Sequence, residues 1–209
     1  MNILATRFDP NVGNFLKRRK LLREFIEVAE TRSYVFESFP DETSRLTRVL
    51  HPREVGKLFS NGSRVRHLIR VSVADFDGAV NYAGLGDKAG TEIDVTLRGK
   101  WKIANAREFL NSYALNQLRL SDCVSLLDFE RKLTELLRTR VVDEIRGHEY
   151  EDLVGKDALP LSWWNSKLGQ WESLGGVDFL ATDEVNYESA TADRQKELSA
   201  QQELNEWEE

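Results

Sequence analysis

The chain has 209 residues and a mass of 24.0 kDa, with 41% hydrophobic residues and a mean hydropathy of −0.47. That is enough to bury one core with a helical extension, and no apolar run approaches the roughly 20 residues that cross a bilayer. Lys and Arg number 29 against 35 Asp and Glu, a net charge of −6 that opposes binding of the whole molecule to nucleic-acid phosphates. The single cysteine, Cys123, excludes an internal disulfide. The start MNILATRFDPNVG lacks the charged, apolar and small-residue segments of a secretory signal, so cytoplasmic residence is the expectation.

After a polar start, Phe15, Leu22, Phe25, Ile26 and Ala29 gather on one side of a helix, while Lys17, Lys20, Arg23, Glu24 and Glu27 point away. Residues 13–30 therefore read as an amphipathic helix. Tyr34 to Phe39 fits a short strand ended by the turn chemistry of Pro40-Asp-Glu-Thr-Ser. From Val65 to Val73, apolar residues alternate with Arg66, Arg70 and Ser72, interrupted by Leu68, which predicts a second strand. The short segment Ala79 to Tyr82 precedes Gly84-Leu-Gly86-Asp-Lys-Ala-Gly90. Those glycines invite a nucleotide-loop reading, but their spacing is not that of a dinucleotide fingerprint and strand rather than helix follows, which favours a hairpin.

Ile93, Val95, Leu97, Trp101 and Ile103 then alternate with Asp94, Thr96, Arg98, Lys100 and Lys102, the signature of a long half-buried strand. It runs into a helix at Asn105-Ala-Arg-Glu-Phe-Leu. Leu126, Phe129, Leu133, Leu136, Leu137, Val141 and Ile145 form a broad apolar stripe for a long helix that packs on a sheet and ends at Gly147. A third helix starts near Pro160, carries Leu161, Trp164, Leu168 and Trp171, and is expected to stop at Gly175-Gly176. Val177, Phe179, Ala181, Val185 and Tyr187 alternate as a strand, and residues 189–209, rich in Glu, Gln and Ala, predict an exposed helix.

In order, the strand EIDVTLRGKWKI, the helix NAREFLNSY, the helix ending LLRTRVVDEIRGHEYEDL and the phrase LGGVDFLATDEVNYE before a Glu/Gln/Ala-rich helix resemble the stomatin/prohibitin/flotillin (SPFH, band 7) domain family. Val95, Trp101, Ile103, Asn105, Phe109, Ile145, His148, Gly176 and Val177 occupy the corresponding places, and the resemblance covers roughly residues 90–209. It implies an α+β fold, a small sheet packed with helices and followed by a C-terminal extended helix. The expected division is an N-terminal amphipathic helix and connecting segment over 1–60, an SPFH-like α+β domain over 61–188, and a C-terminal polar helix over 189–209. Family members usually begin with a membrane hairpin and continue into a long coiled coil. This sequence shows neither the first nor much of the second, which leaves three expectations open: a soluble or partnered relative, a divergent virion-core-like branch, or a piece of a longer chain.

The chemistry-bearing residues are scattered. His148 lies in Gly147-His-Glu-Tyr-Glu-Asp152, which could hold a metal or be a helix-end loop of solvated charges; the spacing is not His-Glu-x-x-His, and His51 and His67 are far upstream. Cys123 lacks a nucleophile context and reads as a small buried thiol. Trp164 and Trp171 at helical spacing read as core, leaving Trp163 partly exposed, against the alternative of a ligand-stacking site. The basic run Arg18, Arg19, Lys20 with Arg23 fits either a solvated helix packed on its own domain or a contact with an anionic surface, diluted by Glu24, Glu27 and Glu30.

The leading expectation is therefore a non-enzymatic scaffold or assembly protein that self-associates with its own kind or with related SPFH-like subunits, with a membrane surface or membrane protein as a further contact. Its candidate self-association residues are Ala200, Leu204 and Trp207 on the C-terminal helix, a seam of little more than one heptad. The alternative is a soluble adaptor that docks one partner protein through that helix. No catalytic residue, cofactor or metal ligand is expected, because no acid, base and nucleophile converge.

Overall fold

The structure is a computed structural model that describes residues 3–9, 15–27, 33–39, 42–50, 67–154, 159–169 and 175–208. The fold is α+β, with two small antiparallel sheets packed against helices. Strands β1 (Ile3–Phe8), β2 (Ser33–Phe39), β3 (Glu42–Leu50), β4 (His67–Ser72) and β7 (Cys123–Ser125) form a five-stranded sheet in the order β3-β2-β4-β1-β7. Strands β5 (Phe76–Gly86), β6 (Glu92–Ile103) and β8 (Val177–Glu188) form a three-stranded sheet with β6 in the middle. Helix α1 spans Phe15–Glu27. Then come α2 (Ala106–Phe109), a π-helical turn (Leu110–Ala114), α3 (Leu115–Leu120), α4 (Leu126–Arg146), α5 (Tyr150–Val154), α6 (Leu161–Gly169) and α7 (Ala190–Glu208). By contacts the chain divides into two units. One comprises residues 1–76, 101–129 and 171–179, and the other residues 77–100, 130–170 and 180–209.

In the first unit the opening segment is not merely polar. β1 lies between β4 and β7, with Ala5 opposite both Val71 and Val124. β3 begins at Glu42, inside the segment whose composition suggests a turn, and its pairing with β2 slips at Glu37/Ser38 and Ser38/Phe39. Leu68, which interrupts the alternation of β4, is buried beside Ile69. α1 packs its apolar side on its own unit: Leu22 is fully buried, and the Phe25 ring stacks on Phe8 at 5.1 Å with the Arg70 guanidinium 4.9 Å from its centroid.

Trp101 and Ile103 at the end of β6 are buried, and Trp101 meets Phe179 edge-on at 5.0 Å. Asn105 caps α2 by accepting the Glu108 N–H at 3.1 Å. The π turn widens the helix by one residue, so that both Phe109 and Leu110, and then both Ala114 and Leu115, are buried. Gly175 and Gly176 do not end α6, which stops at Gly169. They open β8, both at positive φ (+55° and +83°). The Gly176 carbonyl accepts from the Asn105 N–H at 3.0 Å, and the Gly175 carbonyl from the Ser112 hydroxyl at 3.1 Å. Only glycine allows this approach: a Cβ on Gly176 would stand 2.7 Å from the Phe109 nitrogen. Ser125 and Asp128 exchange hydrogen bonds at the start of α4, a capping box with a carboxylate at its third position.

In the second unit, Ile93, Val95 and Leu97 of β6 are buried as their alternation predicts. α4 lies against β5: the Tyr82 hydroxyl donates to the Thr134 carbonyl at 2.9 Å, and the Ala79 N–H donates to the Glu130 carboxylate at 2.8 Å. Leu133, Leu137, Val141 and Ile145 are buried at intervals of four, but Leu136, expected in the same stripe, is 44% exposed. The stripe is thus narrower than the sequence suggests. Along β8 the expected alternation breaks at Thr182, which is buried while Ala181, Val185 and Tyr187 are half-buried. Its N–H donates to the Asn165 side chain on α6 at 2.6 Å. One backbone donor on each outer strand of this sheet is therefore taken by a helix side chain, which blunts both edges.

Candidate functional site

Three surfaces carry chemistry. The first is a cleft of about 250 Å³ between α4 and α6, lined by Arg140, Val141, Asp143, Glu144, Trp164, Lys167 and Leu168. Val141, Trp164 and Leu168 are its buried apolar floor. Across its rim Lys167 pairs with Glu144 at 3.0 Å and lies 5.2 Å from the centroid of the Trp163 ring. The Trp164 indole N–H donates to the Tyr187 hydroxyl at 2.7 Å. Burial pushes the Tyr187 pKa up to about 12, opposed by that hydrogen bond. Two cations and two carboxylates balance around a volume below the few hundred Å³ typical of small-molecule sites. No histidine, hydroxyl or thiol is among the residues that line it. Sequence reading passed over Arg140, Asp143 and Glu144; their i, i+3, i+4 spacing beside Val141 was the available signal.

The glycine segment is a hairpin connection whose donors are used internally. Gly84 N–H donates to Asp94, Lys88 N–H to the His148 carbonyl, Gly90 N–H to the Asp87 carbonyl and Thr91 N–H to the Asp87 carboxylate. Asp87 is buried, and its second oxygen accepts from the Tyr150 N–H at 2.9 Å, so one carboxylate closes the turn and holds the first residue of α5. His148 is half-buried, edge-on to Trp163 at 5.6 Å. Among the described residues no group of three or more His, Cys, Asp or Glu is placed to hold a metal ion. Cys123 is half-buried in β7, not fully buried as expected. Trp164 is core and Trp163 half-buried, while Trp171 falls outside the described residues.

The second surface is the outer side of α1. Arg19, Lys20 and Arg23 are exposed, and Lys20 approaches Glu24 at 3.9 Å; the Arg18 side chain is outside the described set. Leu22 and Phe25 are engaged by their own unit, and among the described side chains of α1 the exposed ones are Arg19, Lys20, Arg23 and Glu24. Among the described residues no helix is long and apolar enough to cross a membrane.

The third surface is α7. Its start is tied down: the Ser189 hydroxyl donates to the Glu92 carbonyl at 2.7 Å and accepts the Ala192 N–H, and the Lys196 ammonium sits 5.5 Å from the centroid of the Tyr150 ring. Beyond Ala192 every described side chain to Gln201 is exposed, Ala200 included, and Leu198 is 55% exposed. The Leu204 and Trp207 side chains lie outside the described set. The chain matches no protein-family model and no curated protein.

Proposed function

We propose that the chain is a non-enzymatic scaffold or assembly protein that self-associates, an SPFH-like subunit in which the α+β body positions α7 for contact. The observation that carries this reading is the exposure of α7. A 19-residue helix, about 28 Å long, holds on by its first turns and presents Leu198 to solvent. Helices in proteins draw most of their stability from packing one face, and a helix with little of its surface covered gains by finding a neighbour. At 100° per residue Leu198 lies roughly 160° from Ala200 and 180° from Trp207, so apolar positions fall on two sides of α7. The order strand, capped helix, long helix, glycine-opened strand and polar helix supports the SPFH resemblance, with Asn105 and Gly176 adjoining. The blunted edges of the three-stranded sheet turn the contact away from strand pairing there and towards helices.

Sedimentation velocity at rising concentration tests the reading. A reversible shift from monomer, weakened by Leu198→Asp or Leu204→Asp, is the expected result. A strict monomer at every concentration overturns it and leaves the adaptor alternative, in which α7 docks a different protein.

A further inference from the structure

We propose that the basic outer side of α1 is the docking surface for the acidic second half of α7 from another copy of the chain, an inference that rests on the self-association reading above.

Charge distribution is the starting point. From Glu197 onward α7 carries Glu197, Glu203, Glu206 and Glu208 and no Lys or Arg, Lys196 being its last cation. Glu203 and Glu206 stand three apart on one helix, a spacing at which like charges repel. α1 is its opposite. Lys17, Arg18, Arg19 and Lys20 crowd its first turns, where no acidic residue occurs and where the helix dipole is itself positive. Arg19 and Arg23 are a further like-charged pair at i, i+4. The first turns of α1 and the second half of α7 are thus opposite in charge. The Lys20–Glu24 contact, at 3.9 Å between side chains 79% and 56% exposed, is loose enough to be exchanged for a new partner.

The competing occupants fit less well. Pairing α7 with α7 in parallel would bring the carboxylates of its second half against one another, and an antiparallel pair has only Arg194 and Lys196 to set against them. An anionic bilayer would take the cations, but the apolar side that should enter the lipid is committed to Phe8 and the core, through Phe25 and Leu22. A contact of α1 with α7 joins two different surfaces: made reciprocally by two copies it closes a two-fold dimer, and made in one direction only it repeats into a ring or a filament.

The test is charge reversal with mixing, on full chains whose folding is verified by circular dichroism. One variant carries Arg18→Glu, Arg19→Glu and Lys20→Glu; the other carries Glu203→Lys, Glu206→Lys and Glu208→Lys. Wild type should assemble at 50 mM salt and lose at least tenfold in apparent association constant by 500 mM, since charges are screened over about 10 Å at 0.1 M and about 3 Å at 1 M. Each variant alone should sediment as monomer, and an equimolar mixture should regain wild-type assembly. Assembly of wild type that ignores salt and both reversals overturns the inference while leaving self-association standing. Wild type that stays monomeric overturns the self-association reading and this one with it. Folded variants that fail to recover on mixing also overturn it. So does a loss of flotation with anionic vesicles in the first variant with its assembly intact, which gives the surface to lipid.

Discussion

The backbone of Gly176 passes so close to Asn105 that a side chain on the glycine would collide with the Asn105 carbonyl oxygen and stand 2.7 Å from the Phe109 nitrogen. Gly176→Ala must therefore move the cap of α2 as well as adopt a φ of +83°. Gly90 has a similar φ of +87° but open space around it. Gly90→Ala should cost only the backbone penalty, about 1 to 2 kcal/mol. Gly176→Ala should cost clearly more, measured as the larger drop in urea midpoint. Equal losses would show that the close approach contributes nothing.

Trp101 is 1% exposed, yet its indole N–H has no hydrogen-bond partner. Trp101→Ala should destabilise by about 3 to 5 kcal/mol. Trp101→Phe removes the orphaned donor along with part of the ring, and should cost less than half as much. Chemical denaturation of both variants gives the comparison; similar losses would mean that the N–H is satisfied in solution.

Asp87 accepts one backbone N–H on each carboxylate oxygen, from Thr91 at 2.6 Å and Tyr150 at 2.9 Å. Asn at this position can accept on only one side and turns an N–H₂ towards a donor on the other. Asp87→Asn should lose about 1 to 3 kcal/mol, with amide exchange accelerated at Thr91 or Tyr150. Unchanged exchange at both would sink the proposed lock.

Tyr187 has its pKa raised by burial to about 12, and burial raises that of Tyr82 further, against the pull of Arg138. A pKa raised on folding means that the native state holds the proton more tightly. The associated stability is complete below pH 10, the value for an unfolded tyrosine, and is lost as pH climbs through 12. Tyr187→Phe should be less stable than wild type by about 1 to 3 kcal/mol at pH 8, because the Trp164 N–H loses its acceptor. The gap should shrink between pH 10 and 12 in thermal melts, and a gap that widens there would contradict the assignment.

The elements that announced themselves in sequence are those with a long period and two distinct faces. β6 carries one apolar residue at nearly every second place for 12 residues, and every one of those side chains is buried. α4 likewise buries its stripe apart from Leu126, half-buried, and Leu136, exposed, and of the α1 stripe the described Leu22 is buried and Phe25 half-buried. What escaped notice has a physical cause in each case. β1 is built on small residues, Ala5 and Thr6, that give a weak alternation. β3 begins in residues with turn chemistry and pairs with a slipping register, and β7 is three residues long, too short for any period. The π turn leaves no compositional mark. The lining of the α4–α6 cleft has only the i, i+3, i+4 spacing of Arg140, Asp143 and Glu144 to mark it, which in sequence looks like the solvated flank of a helix, and Lys167 reaches Glu144 from another one. The basic run of α1 could be read as charge but not as orientation, which depends on Leu22 and Phe25 being occupied.

The pairing of β1 with β7 sets a timetable for synthesis. Arg7 and Asp122, joined at 2.7 Å, are 115 residues apart in the chain. At about 5 to 20 residues per second the ribosome needs roughly 6 to 23 s to deliver the second after the first. Over that interval the nascent β1 can find β4, but its other edge waits for a strand not yet made. A cell producing this protein must keep that edge from pairing with a neighbour on the same messenger RNA. Slower translation through residues 73–122 lengthens the time for which that edge is unpaired.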